Sequence, residues 1–336
     1  MRHQRQEPFR RNEDLERLLK EINDLLAPVE ESVLQGYRQP EYPVVLVVGN
    51  PRCGKTLMMQ WLASTGEFCY PTNLLARFYD APYVGAKIQL LLADERYSFR
   101  DETYEFGQDI SFASSVGKTR GSLSPNEFYY FWNRFFPYEK RHYLTEEDQA
   151  RVDLRGFVAE LAAVEAAFDK PFALKGDIAN QNLSLISSAL ERVLFLYIER
   201  HPFYNVQSVL QTRVRHGGSR EVWWSFKPKE YEKLVNLDPI EQVAGQVYFI
   251  NQGINRELQQ VDPTRKLQVS YEGFCAAPQV VYEQIREKLE QQGYWLEKDY
   301  EGPTRFESAN QIRLSEGDVR RIIDSYKKFS NVRLIP

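Results

Sequence analysis

Cysteine is scarce: Cys53, Cys69 and Cys275 are too few and too scattered for a disulfide framework or a zinc site. No run of eighteen apolar residues occurs, and the N-terminus, MRHQRQEPFRRNEDLER, is polar throughout. Neither a membrane span nor a signal peptide is expected, so the reading is a cytoplasmic protein with no membrane partner. No block of Lys and Arg marks a nucleic-acid footprint, and the formal net charge is −4. A polyanionic ligand must therefore be met by a local cluster of cations. Repeats and low-complexity tracts are absent, and no histidine lies between residues 4 and 141.

What is present is a chain long enough for one large α/β domain or two smaller ones, 43% hydrophobic, with 20 Tyr, 20 Phe and 5 Trp. Its organising stretch is EYPVVLVVGNPRCGKTLMMQWLAS, residues 41–64. Pro43 to Val48 has the β-branched apolar composition of a strand buried on both faces of a parallel sheet. Gly49, Gly54, Lys55 and Thr56 then match G-x-x-x-x-G-K-[ST], and Leu57 to Ala63 continues as a helix. A loop turning into a helix N-terminus offers free backbone N–H groups and a partial positive charge to a phosphate, and its glycines allow close approach. Arg52 and Lys55 add full charges. Cys53 lies in the same cradle, where a helix N-terminus and two cations can lower a thiol pKa, although a small loop residue is its simplest role.

Residues 12–36 carry Leu15, Leu18, Leu19, Ile22, Leu25 and Leu26 at helical spacing, an N-terminal amphipathic helix (residues 1–42) packed on the domain. Residues 65–95 break into short helices, and 96–125 form a polar, Gly-bearing excursion expected to be a mobile binding loop. Ser124, Pro125 and Glu127 have the spacing of a helix-opening capping box. A helix is expected over 145–169. Strands are expected at Pro171–Lys175, Arg192–Ile198 and Lys266–Tyr271. Between and after them come helices at Asn182–Leu190, Pro239–Val261, Pro278–Gln292 and Ser315–Phe329. This alternation predicts a three-layer α/β fold, a central parallel sheet flanked by helices.

Arg200 ends the VLFLYIE strand, and Ser208 follows on the next helix, opened by Pro202. Ligands of open α/β sheets bind at that strand edge, where Arg grips phosphate in bidentate fashion. Here the chain resembles the P-loop sulfotransferases that use 3′-phosphoadenosine 5′-phosphosulfate (PAPS), from about residue 43 to 292. Pro51-Arg52-Cys53-Gly54-Lys55-Thr56 meets the family's P-[RK]-x-G-T-T at all but one position. Arg200, Pro202 and Ser208 meet R-x-P with its following Ser, and Tyr271, Glu272, Phe274 and Pro278 meet Y-E-x-[LF] with a later Pro.

The resemblance implies a single domain over 43–336 with an acceptor-side excursion at about 65–145. It also implies transfer of a sulfuryl group from PAPS to a hydroxyl of a carbohydrate or other small molecule, leaving adenosine 3′,5′-bisphosphate. By it, Arg52 holds the phosphosulfate and steadies the leaving oxygen, Gly54 and Thr56 hold the 5′-phosphate, and Arg200 with Ser208 holds the 3′-phosphate. No metal is implied.

The chain departs from this pattern at two positions. Lys55 stands where Thr or Ser is usual: it sits on the sulfonate or leaving phosphate in one reading and marks a Mg-ATP kinase or NTPase in the other. Asn73 stands where relatives place a catalytic Glu, which keeps a non-catalytic nucleotide-binding protein open as a third reading. The candidate bases are Glu67, Asp94, Glu95 and above all Glu127, whose pKa an apolar cleft would raise. Glu127 lies beside Phe128, Tyr129, Tyr130, Phe131 and Trp132, a candidate sugar-facing wall. Arg213, Arg215 and the Gly217-Gly218 turn are candidate extra donors near the nucleotide, and His142 and His216 read as surface histidines.

Overall fold

The computed structural model describes residues 6, 10, 12–97, 112, 114–115, 117–136, 142–332 and 334–336. Four parallel strands, β1 (Val44–Val48), β2 (Ala173–Lys175), β3 (Val193–Glu199) and β4 (Lys266–Ser270), form a sheet in the order β2-β1-β3-β4. Register is set by pairs such as Val45 with Ala173, Leu46 with Phe195 and Ile198 with Val269.

Alternation along β1 divides the core in two. Val44, Leu46 and Val48 face a cluster that includes Phe131, Phe157 and Phe195, while Val45 and Val47 face Met58, Trp61, Leu196 and Phe274. All five β1 residues are fully buried. A strand covered on both faces needs apolar residues at every position, hence the unbroken VVLVV run. Among the described residues no helix is long and apolar enough to cross a membrane.

The main helices are α1 (Glu13–Leu34), α2 (Lys55–Ser64), α3 (Pro82–Ala93), α4 (Leu154–Phe168), α5 (Pro202–Gly217), α6 (Pro239–Gln259), α7 (Pro278–Glu290) and α8 (Glu316–Ser330). Apolar residues of α5, α6 and α8 build a third cluster around Phe203, Val243 and Ile322. Asn12 caps α1 through its side chain. Two polar residues fix this helix: Asn23 accepts from the Asp80 amide, and the Glu30 carboxylate accepts from the Tyr83 and Val84 amides at the start of α3. Of the leucines expected to pack, Leu18 and Leu25 are exposed instead.

Three local expectations are corrected. Residues 145–169 split at Asp153 into a short helix, Glu146–Gln149, and α4, because Asp153 caps a new start by accepting from the Gly156 amide. Tyr271 opens the helix Tyr271–Ala276 rather than closing β4, with Ser270 as its cap. The capping box at Ser124 does not form. Its hydroxyl bonds the Arg120 carbonyl, and the helix begins at Tyr129 after Phe128, whose φ is +53°. Part of the excursion, 98–111, 113 and 116, lies outside the described residues. The remainder includes a hairpin ladder pairing Ser114–Ser115 with Lys118–Thr119.

Candidate active site

The loop between β1 and α2 is held from every side. The Asn180 amide exchanges two hydrogen bonds with the backbone of Gly49, the Asn50 side chain donates to the Val247 carbonyl, and Asn205 donates to the Pro51 carbonyl. Gly54, the N-cap of α2, has φ +110°, and a Cβ there would lie 2.5 Å from the Tyr271 ring. Only glycine fits.

Lys55 points inward. Its Nζ donates to the Gly49 carbonyl at 2.7 Å and to the Asn50 carbonyl, and pairs with Asp177 Oδ1 at 2.9 Å. Burial opposes its charge, but Asp177 and Cys53 outweigh that and raise its pKa. Cys53 is itself fully buried, and burial pushes its thiol up, opposite to the activation considered for it. The signal for Asp177 was in the sequence: it stands just past the end of β2, at the carboxyl edge of the sheet.

Arg200 and Ser208 meet the loop directly. Arg52 Nε donates to Ser208 Oγ at 3.3 Å, and Arg200 Nη1 donates to the Arg52 carbonyl at 3.1 Å. The strand edge of β3, the first turns of α5 and the β1–α2 loop thereby place two guanidinium groups and one hydroxyl together. Burial lowers the pKa of Arg52, and the nearby Arg200 and Arg215 lower it further. Cations gathered without matching carboxylates are the electrostatic mark of a site for a multiply charged anion.

A second cluster, beside Thr56, escaped the sequence reading. Lys175, at the carboxyl end of β2 and almost buried, donates to Thr56 Oγ1 at 2.8 Å and to Glu127 Oε1 at 3.2 Å. Lys118, on the excursion hairpin, reaches the other oxygen of Glu127 at 3.2 Å. The hairpin turn at Gly117 has φ +83°, and a Cβ there would stand 3.1 Å from Glu127 Oε1, so the turn's approach depends on glycine. Burial would raise the Glu127 pKa, as expected from sequence, but Lys175 and Lys118 more than reverse it, to about 2.

The other candidates play other parts. Glu67 accepts from the Glu297 amide, Asp94 pairs with Arg96, and neither they nor Glu95 line the cleft at the loop. Asn73 braces the hairpin instead, donating to Thr119 Oγ1 and the Gly121 carbonyl and accepting from Asn126. Arg213 is fully buried, bonded to Gln242 and stacked 4.9 Å from the Trp223 ring, and does not line the cleft at the loop. His142 accepts from the Lys227 amide, and burial lowers its pKa to about 4, so it is neutral near pH 7. Phe128 and Phe131 belong to the core and do not form a sugar-facing wall.

Arg52, Lys55, Thr56, Lys118, Glu127, Lys175, Asp177 and Arg200 open onto one cleft of about 1520 Å³. Seven Lys and Arg line it, against the carboxylates of Glu16, Glu127 and Asp177, in a chain whose net charge is −4. Tyr129 and Tyr130 line it as well, along with Trp223, Trp224 and Phe226 from the segment after α5. Residues of α1, including Leu15 and Leu19, form part of the wall.

The model of the sulfotransferase family matches residues 43–295, three quarters of the chain. The protein is a member of that family. No curated protein matches the sequence. Among solved structures, this sulfotransferase is similar in fold to sulfotransferase STF9 from Mycobacterium avium, with a TM-score of 0.50 at 13% identity, over 93% of this chain and 82% of that one. STF1 from Mycobacterium tuberculosis H37Rv matches with a TM-score of 0.48 at 10% identity, over 92% and 82%. The parallel sheet flanked by helices is the shared architecture.

Proposed function

We propose that this sulfotransferase uses PAPS as donor and transfers its sulfuryl group to a hydroxyl of a carbohydrate or another small molecule. The observation that carries this reading is the Arg52–Ser208 contact, 3.3 Å, with Arg200 bonded to the Arg52 carbonyl. It joins the loop that would take a 5′-phosphate to the pair that would take a 3′-phosphate, and a 3′-phosphate distinguishes PAPS from ATP. The acceptor oxygen bonds sulfur while the sulfur–oxygen bond to the 5′-phosphate breaks, adenosine 3′,5′-bisphosphate leaves, and the acceptor proton passes to a base.

In this reading Arg52 neutralises charge on the leaving phosphate, and the backbone of Cys53 and Gly54 with the Thr56 hydroxyl holds it. Lys175 and Lys118 face the transferring group. Lys55 acts one step back, holding loop carbonyls inward so that the N–H groups face the cleft. Glu127 takes the acceptor proton. At a pKa of about 2 it is a weak base, but a bound sulfonate that shares Lys175 and Lys118 weakens their hold and raises it.

Calorimetric titration with adenosine 3′,5′-bisphosphate and with Mg-ADP tests the donor. Tight binding of the bisphosphate that collapses in Arg200→Ala is expected; preference for Mg-ADP overturns the reading.

A further inference from the structure

Between α7 and α8 the chain runs without regular secondary structure and crosses the edge of the cleft. It is tied down along its length. The Phe306 amide donates to the Cys275 carbonyl and the Ala309 amide to the Tyr271 hydroxyl, while Gln207 both donates to the Gln311 carbonyl and accepts from the Arg313 amide. At its centre stands Asn310. Its Oδ1 accepts from Arg200 Nε at 2.7 Å, and its Nδ2 donates to Glu272 Oε1 at 2.6 Å.

Glu272 Oε1 also accepts from the His201 amide at 3.0 Å. One orientation of the Asn310 amide satisfies both neighbours: a carboxylate only accepts and a guanidinium only donates, so oxygen must face Arg200 and nitrogen Glu272. The Ala309 carbonyl takes Nη2 of the same guanidinium at 3.0 Å, and the Tyr271 ring lies 5.0 Å from its centre. A guanidinium has five N–H bonds. Three have protein acceptors here: Asn310, Ala309 and the Arg52 carbonyl.

We infer that Asn310 is a positioning residue for Arg200: it fixes the Nε edge against the strap and turns the remaining N–H groups toward the nucleotide. The inference rests on the PAPS reading, in which those groups hold the 3′-phosphate. Holding a long side chain in its binding geometry beforehand removes an ordering cost from ligand binding. Removing Asn310 therefore acts on the 3′-phosphate alone.

The test compares adenosine 3′,5′-bisphosphate with adenosine 5′-monophosphate by calorimetry in the full chain. Asn310→Ala is expected to weaken the bisphosphate about tenfold, the worth of one hydrogen bond to a charged group, and to leave the monophosphate unchanged. A general structural loss would weaken both. Asn310→Leu is the second variant should the alanine form not fold: it keeps the side-chain volume but offers Arg200 no acceptor and adds no charge, and it too must lose the preference. Wild-type preference in a folded variant overturns the inference and leaves the donor reading intact. A wild-type protein that binds both nucleotides equally overturns the donor reading itself, and the inference with it.

Discussion

The Lys175 ammonium donates to the Thr56 hydroxyl at 2.8 Å, linking the end of one strand to the phosphate-type loop that follows its neighbour. The same ammonium reaches Glu127 at 3.2 Å, so one cation organises the Thr56 hydroxyl and the only one of the four candidate bases that lines the cleft. In Lys175→Met, turnover is expected to fall by about a hundredfold or more, the usual effect of deleting one charge-stabilising donor. Bisphosphate affinity should change much less. Rates measured at saturating donor check this, and a wild-type rate would remove Lys175 from the chemistry.

Lys55 is expected to act through stability. Removing one partner of a buried ion pair leaves the other uncompensated, at a cost of about 3 kcal/mol, the low end of the usual range because Asp177 retains some exposure. Urea unfolding of Lys55→Met measures it. A cost below about 1 kcal/mol, within the range of exposed pairs, would mean that the Lys55–Asp177 pair does not brace the loop.

Glu127 sets an acid limit. Its folded-state pKa, about 2, lies below the ordinary 4.5. In that window the unfolded chain binds more protons, so stability rises with pH. The carboxylate's contribution is complete above its unfolded pKa and is lost as pH falls toward about 2. Wild-type protein should therefore lose more unfolding free energy than Glu127→Gln between about pH 5 and pH 2. Parallel curves would show that the two lysines do not hold this carboxylate in solution.

Legibility followed the range of the interactions. The four strands of the sheet fall within a residue or two of where composition placed them; in β1 and most of β3 burial on both faces leaves no room for a polar residue, whereas β4, at the sheet edge, carries Lys266, Gln268 and Ser270. The cap assigned to Ser124 failed because a spacing of three residues satisfies a capping box only if the intervening backbone is helical, and here Pro125 forms an antiparallel bridge with Thr72 and the helix starts only at Tyr129. Leu18 and Leu25 share helical spacing with buried Leu19 but face outward, because α1 is anchored through Asn23 and Glu30.

The sequence by itself determined the strand–loop–helix at Gly49–Thr56, the alternating α/β order and the resemblance to sulfotransferases, for each rests on neighbours in the chain or on motif order. Tertiary structure alone decided what Lys55 and Glu127 touch. Lys55 meets Asp177 across more than a hundred residues, and Glu127 meets Lys175 and the hairpin's Lys118. The direction of a carboxylate's pKa depends on whether cations or apolar walls surround it, and that is fixed only when distant segments pack together.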